Sequence, residues 1–529
     1  MKTGRMCAGA SLVLVALILT GCLSADTYKT SFSNIVRTGT PQDIRTAIDK
    51  GAKVNAQNKD GWTPLMSAAA SNQDPAAITT LLEAGADINA QDKEGWTALM
   101  SAGRSNKNPE IVTTLLEAGA DIHARNKDGV TPLMFAARYT KNPDVITAFL
   151  KGGADIEEHN EGGWTVLTLA AFYNQNPEVL GTLMKAGADI TAQNRNGEIA
   201  LMMAARNNIP EVITLLLEAG ADIGARDNEG WTALMLAAWG NQNPKVITML
   251  LAAGADITDR NKYGNTVLMA AASANQNLEV ITTLLEAGAD IKSQNRDAWT
   301  ALLLAAWGNQ NPEVITTLLK AGADIKDQNL GGVTVLLAAA RNNQNPKVVA
   351  ALLAAGADIA ARDKQGWTAL QTAAAYNQNP AIVRTLLKAG ADIKDQNADG
   401  WTVLMRAASD NQNPEVITTL LKAGAAIKAQ NKDGSTALML AARNNQNADV
   451  VSTLLRAGGD IEGRDKDGWT PLILAAGYSK KPEVVMTLLK AGANAKAKNS
   501  EGMTAYDYAQ SRENLKDTDA LRRLEEAAR

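Results

Sequence analysis

From about residue 30 onward, apolar and polar positions come in blocks that recur in a fixed order. The segment Gly230 to Tyr263 shows the order: GWTALMLAAWGNQNPKVITMLLAAGADITDRNKY. Thr232 stands before a short apolar run, where its hydroxyl can accept a hydrogen bond from an otherwise unpaired N–H of a first helical turn. A first helix is predicted over Ala233 to Ala238, and its closing Ala-Ala pair leaves room for a neighbouring backbone. Asn241 follows the helix, where left-handed geometry is common and Asn tolerates it. Asn243-Pro244 is a second start signal, since proline at the first helical position loses no hydrogen bond. Val246, Ile247, Leu250 and Leu251 give this second helix one apolar face. Gly254 reads as its left-handed C-terminal cap. The remaining ADITDRNKYG is polar and ends in a glycine turn, which fits an extended, hairpin-like loop.

The third position of the G-x-T signature falls at 63, 97, 131, 165, 199, 232, 266, 300, 334, 368, 402, 436, 470 and 504; twelve of the thirteen intervals are 34 residues and one is 33. One such block has little surface to bury by itself. Its apolar faces need a neighbour on each side, so the expected architecture is a stack. Two glycine columns, the G-x-T glycines and the caps from Gly51 to Gly492, hold 27 of the 42 glycines, which assigns most of them to backbone geometry and away from catalysis. Ala298 is the exception among the G-x-T glycines. Ile199 replaces the capping threonine in the one repeat that is a residue short, at Asn208-Ile209-Pro210, and stacking is expected to be weakest or most bent near 195 to 212.

The order G-x-T-[AP]-L, A-A, L-L-x-A-G-A-D-I, repeated over about residues 30 to 529, resembles the ankyrin repeat. The resemblance implies an all-α repeat fold, an ankyrin-type solenoid of about 15 helix-turn-helix units with hairpin-like loops. It divides the chain into an N-terminal capping half-repeat (30–60), thirteen repeats (61–501) and a C-terminal capping repeat (502–529). The histidine common in the family's T-P-L-H is replaced by Met66, Met100, Met134, Thr168 and similar residues, so the hydrogen bonds that histidine makes must be replaced. The extra residue per repeat falls in the N-Q-N-P turn.

The first 22 residues follow a different pattern. Lys2 and Arg5 precede an apolar run from Ala8 to Leu19, too short to span a bilayer, and then Thr20-Gly21-Cys22, as in an export signal. Leu19-Thr20-Gly21-Cys22 resembles the lipobox of bacterial lipoproteins. That implies a signal peptide over 1–21, acylation of Cys22 as the first mature residue, and a short tether over 22–29. The alternative is an ordinary signal cut after Leu23-Ser24-Ala25. Two or more acyl chains hold a protein on a membrane firmly. The expected location is therefore the cell envelope, lipid-anchored, periplasmic or surface-facing. Leu23 in place of aspartate favours the outer membrane if the source is Gram-negative. Signal removal also leaves Cys22 as the single cysteine, so no disulfide is expected.

Composition narrows the functions. Hydrophobic residues make up 46% and charged residues 20%, which suits a folded chain with a packed core. A formal charge of −4, falling to −6 as the basic count drops from 52 to 50 against 56 acidic residues, does not favour nucleic acid. His123 and His159, the only two histidines, lie in successive loops without a cysteine or carboxylate pattern for zinc, and no nucleotide-binding or nucleophile motif occurs in a suitable context. No cofactor, no metal and no catalytic residue is expected. The A-D-I aspartates at 87, 121, 155 and 189 read as turn residues that bond local backbone.

Repeats can be compared within the chain, and two columns vary in an informative way. The residue before the capping position reads Trp62, Trp96, Val130, Trp164, Glu198, Trp231, Asn265, Trp299, Val333, Trp367, Trp401, Ser435, Trp469 and Met503. Tryptophan fits a binding hot spot, and equally loop packing. The second column follows A-A: Arg104, Arg138 with Tyr139, Phe172 with Tyr173, Arg206, Trp239, Trp307, Arg341, Tyr376, Arg443 and Tyr478. Arg, Tyr and Trp are the residues interfaces favour; the alternative is a solvated helix end whose arginines bond C-terminal carbonyls. In ankyrin-like proteins partners usually dock on the concave groove that such positions line. The leading expectation is a non-catalytic scaffold that binds a protein partner in the envelope. A carbohydrate or peptidoglycan binder, and an inhibitory or protective partner of an enzyme or toxin, are the other two readings.

Overall fold

The computed structural model describes residues 32–207 and 209–528. The expected signal, Cys22 and the tether lie outside them. Among the described residues thirty α-helices run in pairs, from Phe32–Thr38 with Pro41–Asp49 to Ala505–Ala509 with Asp519–Ala528. None is long and apolar enough to cross a membrane.

In the representative repeat, Thr232 Oγ1 accepts from the Met235 N–H at 3.3 Å and starts a helix over Ala233–Gly240, two residues past the expected end. The second helix is Pro244–Ala252, capped by Asn243 through the Lys245 N–H at 3.1 Å. Gly254 then takes φ +93°, and the loop glycine Gly230 takes φ +78°. The two sites need glycine for different reasons. A Cβ on Gly254 would meet nothing within 4 Å, so backbone geometry alone decides; one on Gly230 would also lie 3.0 Å from Lys262 N in the next hairpin tip.

Asn241 departs from expectation. Its backbone is extended (φ −84°, ψ 129°), not left-handed. Its side chain is buried, and Nδ2 donates to Ala205 O at 2.7 Å while Oδ1 accepts from Asn243 N at 2.8 Å. An αL residue would not serve this bridge. The same asparagine recurs: Asn275 donates to Asn241 O, Asn309 to Asn275 O, Asn343 to Asn309 O and Asn377 to Asn343 O, at 2.7 to 2.8 Å. The N-Q-N-P turn therefore supplies inter-repeat hydrogen bonds from a buried polar row, each amide satisfied by backbone.

The side chain at the family's histidine position folds back on the cap. Met66 Sδ and Met269 Sδ each accept from the capping threonine's N–H at 3.4 Å, and Thr168 Oγ1 does so at 2.8 Å. The loop is tied elsewhere: Asp227 Oδ1 accepts from the Glu229 and Trp231 N–H groups, both at 2.8 Å, and Lys262 N donates to Glu229 O at 2.9 Å, joining successive tips. The A-D-I aspartates bond local backbone, as Asp121 does with the His123 N–H at 2.9 Å.

Two compact bodies form among the described residues, the first ending at Arg195 and the second beginning at Asn196, and the division falls just ahead of Gly197, where the repeat that lacks one residue begins. Within each body, first helices pack mainly on first helices of adjacent repeats and second helices on second helices. Each body is thus a solenoid. In the C-terminal body Leu234, Ala237, Ala238, Val246, Ile247 and Leu250 are all fully buried. Ile209, at the shortened turn, offers no side-chain cap to Pro210–Glu218.

Candidate functional site

The two variable columns meet on one face of each body. A capping threonine fixes the start of the first helices from Pro64–Ser71 to Ala505–Ala509, except Ala200–Asn207 after Ile199, so the residues four and seven positions later lie about one turn apart on the same side. The tryptophan before the cap packs toward that side, held by its own N–H on the loop's Asn or Asp, as Trp299 is on Asn295 at 2.8 Å. All eight tryptophans of the column are partly buried.

In the N-terminal body the row is continuous. The Arg104 guanidinium lies 5.2 Å from the Trp96 ring and 5.3 Å from Tyr139; Arg138 lies 4.9 Å from Tyr139 and 3.7 Å from Tyr173. Tyr173 meets Phe172 edge-on at 4.7 Å, and Phe172 meets Trp164 at 5.5 Å. Phe135, four positions after its cap, packs under Trp96 at 4.1 Å.

The C-terminal body carries three such groups. Arg206 sits over Trp239 at 5.2 Å. Trp299 meets Trp307 edge-on at 5.6 Å; Arg341 lies 6.0 Å from Trp307 and 4.2 Å from Tyr376, which Arg406 approaches at 5.4 Å while also covering Trp367 at 4.6 Å. Arg443 lies 4.6 Å from Tyr478, and Trp469 packs between Tyr478 and Tyr508. Trp231 is partly buried above Asp227. Arg341, Tyr376, Arg443 and Tyr478 are exposed.

Reading by columns missed Arg406, Phe135 and Tyr508. Each stands four residues after its cap, and the signal that would have found them is helical periodicity: positions four and seven share a face. Arg406 also donates to Tyr376 Oη at 2.5 Å and pairs with Asp410 at 2.9 Å. Arg104, Arg138, Arg341 and Arg443 bond no helix-end carbonyl among the described residues; aromatic rings hold them. Each ring–cation contact contributes on the order of 0.5–2 kcal/mol.

Other polar groups serve the scaffold. His123 Nδ1 lies 2.8 Å from Glu158 Oε1, whereas His159 forms a backbone bridge with Thr165. Burial pushes the Asp227 carboxyl above its ordinary value, and the nearby Glu198 and Glu229 carboxylates add to that, against the two N–H bonds it accepts. A shallow depression of about 360 Å³ lies on second helices, lined by Arg384, Lys388, Glu415 and Lys422, with Arg384 and Glu415 paired at 3.5 Å. It holds no nucleophile–base pair.

A family model described as ankyrin repeats (3 copies) matches residues 33–126, 105–194, 173–261, 241–329, 302–397, 373–465, 404–499 and 438–525. No curated protein matches the chain.

Proposed function

From the chain's membership of the ankyrin-repeat family, whose repeats are generally protein–protein interaction modules, we propose that it is a non-catalytic scaffold holding a protein partner in the cell envelope. The observation that carries this reading is the convergence of two variable columns, rich in Trp, Tyr and Arg, on the first-helix face of each body. Varied residues on a uniform frame are what a recognition surface needs, and these residue types dominate interface energetics. Anchoring through an acylated Cys22 would hold that surface near a membrane. Guanidinium groups lie over the rings of Trp96, Trp239, Trp307, Trp367, Tyr139, Tyr173, Tyr376 and Tyr478, which favours a protein over a sugar that stacks on bare rings.

Crosslinking in intact cells followed by mass spectrometry tests the scaffold. Replacing Trp239, Trp307 and Tyr376 by Ala is expected to remove the principal adduct and leave the circular dichroism unchanged; an undiminished adduct would count against this face. Labelling with a radioactive fatty acid tests the anchor, and labelling that survives Cys22→Ala would exclude it.

A further inference from the structure

Charge is not spread evenly along the repeats. The thirteen first helices from Pro64–Ser71 to Pro471–Tyr478 contain six arginines, no lysine and one acid, Asp410, in a chain whose net charge is −4. Asp410 is already paired with Arg406. In the N-terminal body these helices carry Arg104 and Arg138 and no acid.

The loop arginines behave differently from these two. Arg125 Nη1 donates to Gly129 O at 2.9 Å and His159 O at 2.8 Å; Arg260 Nη1 donates to Gly264 O and Gln294 O at 2.9 and 2.8 Å. Arg226 and Arg362 are in ion pairs with Asp259 and Asp395. By contrast, Arg104 and Arg138 form neither an ion pair nor a hydrogen bond among the described residues, and Arg138 Nε is buried without a partner. Both are nevertheless held in place, because Trp96, Tyr139 and Tyr173 flank them. Stacking engages the faces of a guanidinium and leaves its in-plane N–H groups, the edge that takes a carboxylate in two parallel hydrogen bonds.

We propose that the Arg104–Arg138 row of the N-terminal body binds an acidic, extended protein segment, with carboxylates received by two guanidinium groups that aromatic stacking has already ordered. This rests on the scaffold reading and names the chemistry of its partner. The spacing is specific. Arg104 and Arg138 belong to successive repeats, and helices pack about 10 Å apart; a chain extended as polyproline II rises about 3.1 Å per residue with about three residues per turn, so every third side chain faces the same way. Carboxylates at every third position therefore match the row. The ordering entropy of two long side chains is already met by the rings, so more of each carboxylate contact appears as affinity.

The test uses the purified full chain and fluorescence anisotropy with a labelled peptide of about a dozen residues carrying glutamate at every third position. Its glutamine and lysine counterparts are the controls. The glutamate peptide is expected to bind, to weaken as salt rises and to outbind the glutamine peptide by about tenfold or more, the ratio expected from one strong contact of about 1.4 kcal/mol. Arg104→Gln with Arg138→Gln should remove that advantage, and Arg384→Gln, on a second helix of the other body, should keep it. Equal binding of the glutamine peptide, or an unchanged glutamate affinity in the double variant, overturns the proposal. So does binding of a soluble peptidoglycan fragment by a chain that ignores all three peptides. The peptide series on the unaltered chain decides the matter even if the double variant folds poorly. In-cell crosslinking separates the two levels: undiminished adducts of R104Q/R138Q overturn the acidic site and keep the scaffold, whereas a native chain that crosslinks to no protein removes both.

Discussion

The guanidinium of Arg138 lies 3.7 Å from the ring centroid of Tyr173, a residue of the following repeat. The contact joins two repeats through side chains that vary from one repeat to the next, so the surface that distinguishes this chain also contributes to its stacking. A double-mutant cycle with Arg138→Ala and Tyr173→Ala is expected to give a coupling of about 0.5–2 kcal/mol in urea unfolding. Additive effects would mean the pair does not interact in solution.

Asn309 and Asn311 are two residues apart but differ in what depends on them. Asn309 is fully buried and bridges to Ala272 O and Asn275 O at 3.0 and 2.8 Å; Asn311 is a partly buried cap that accepts from Glu313 N at 3.0 Å. Asn309→Ala leaves buried carbonyls without a donor and should cost about 2–3 kcal/mol. Asn311→Ala should cost about 1 kcal/mol. Urea midpoints of the two variants measure the difference, and a reversed order would be inconsistent with the buried row.

Ala298 holds φ +59° where the other G-x-T sites have glycine. A Cβ in that region costs about 1–2 kcal/mol. Ala298→Gly is therefore expected to raise the unfolding midpoint, the reverse of the usual effect of adding glycine. A lower midpoint would show that the strain is relieved elsewhere.

Burial raises the Asp227 pKa, so the folded state disfavours its ionised form, and the penalty exists at pH above the raised value and fades as pH falls through it. Asn58, Asn126 and Asn160 accept from the equivalent N–H groups without charge. Asp227→Asn should stabilise the protein at neutral pH, with the gain shrinking through the carboxylate range. Thermal unfolding of both forms from neutral to acid pH checks the sign.

Pro210–Glu218 begins at Ile209 with no side-chain cap, unlike Pro244–Ala252. A missing cap costs about 1 kcal/mol. Amides in the first turn of Pro210–Glu218 should exchange several-fold faster than those in Pro244–Ala252. Uniform protection in hydrogen exchange would contradict this.

Much of the repeat was legible because its signals are local. Thr232, Pro244 and Gly254 each act on their own backbone, and the structure places each as a cap, a start and a stop. Asn241 was misread for the complementary reason: its side-chain amide donates to the preceding repeat, 36 residues away, and a rule about helix ends has no access to that acceptor. The surface was legible in parts. The Trp and Arg/Tyr columns were visible by alignment within the chain, yet their convergence depends on how one first helix sits against the next. Arg406 was overlooked because it stands a turn earlier than Arg443 in its repeat.

The buried asparagine row sets a rule for how such a chain can change its length. Each member from Asn275 to Asn411 donates to the repeat before it and presents its own carbonyl to the repeat after it, so interior members are interchangeable. Duplicating or excising a whole 34-residue block leaves every donor facing an acceptor, whereas a one-residue slip strands one of each. Growth in this protein is quantised, and the reach of its first-helix face can be lengthened by copying without redesigning a single joint.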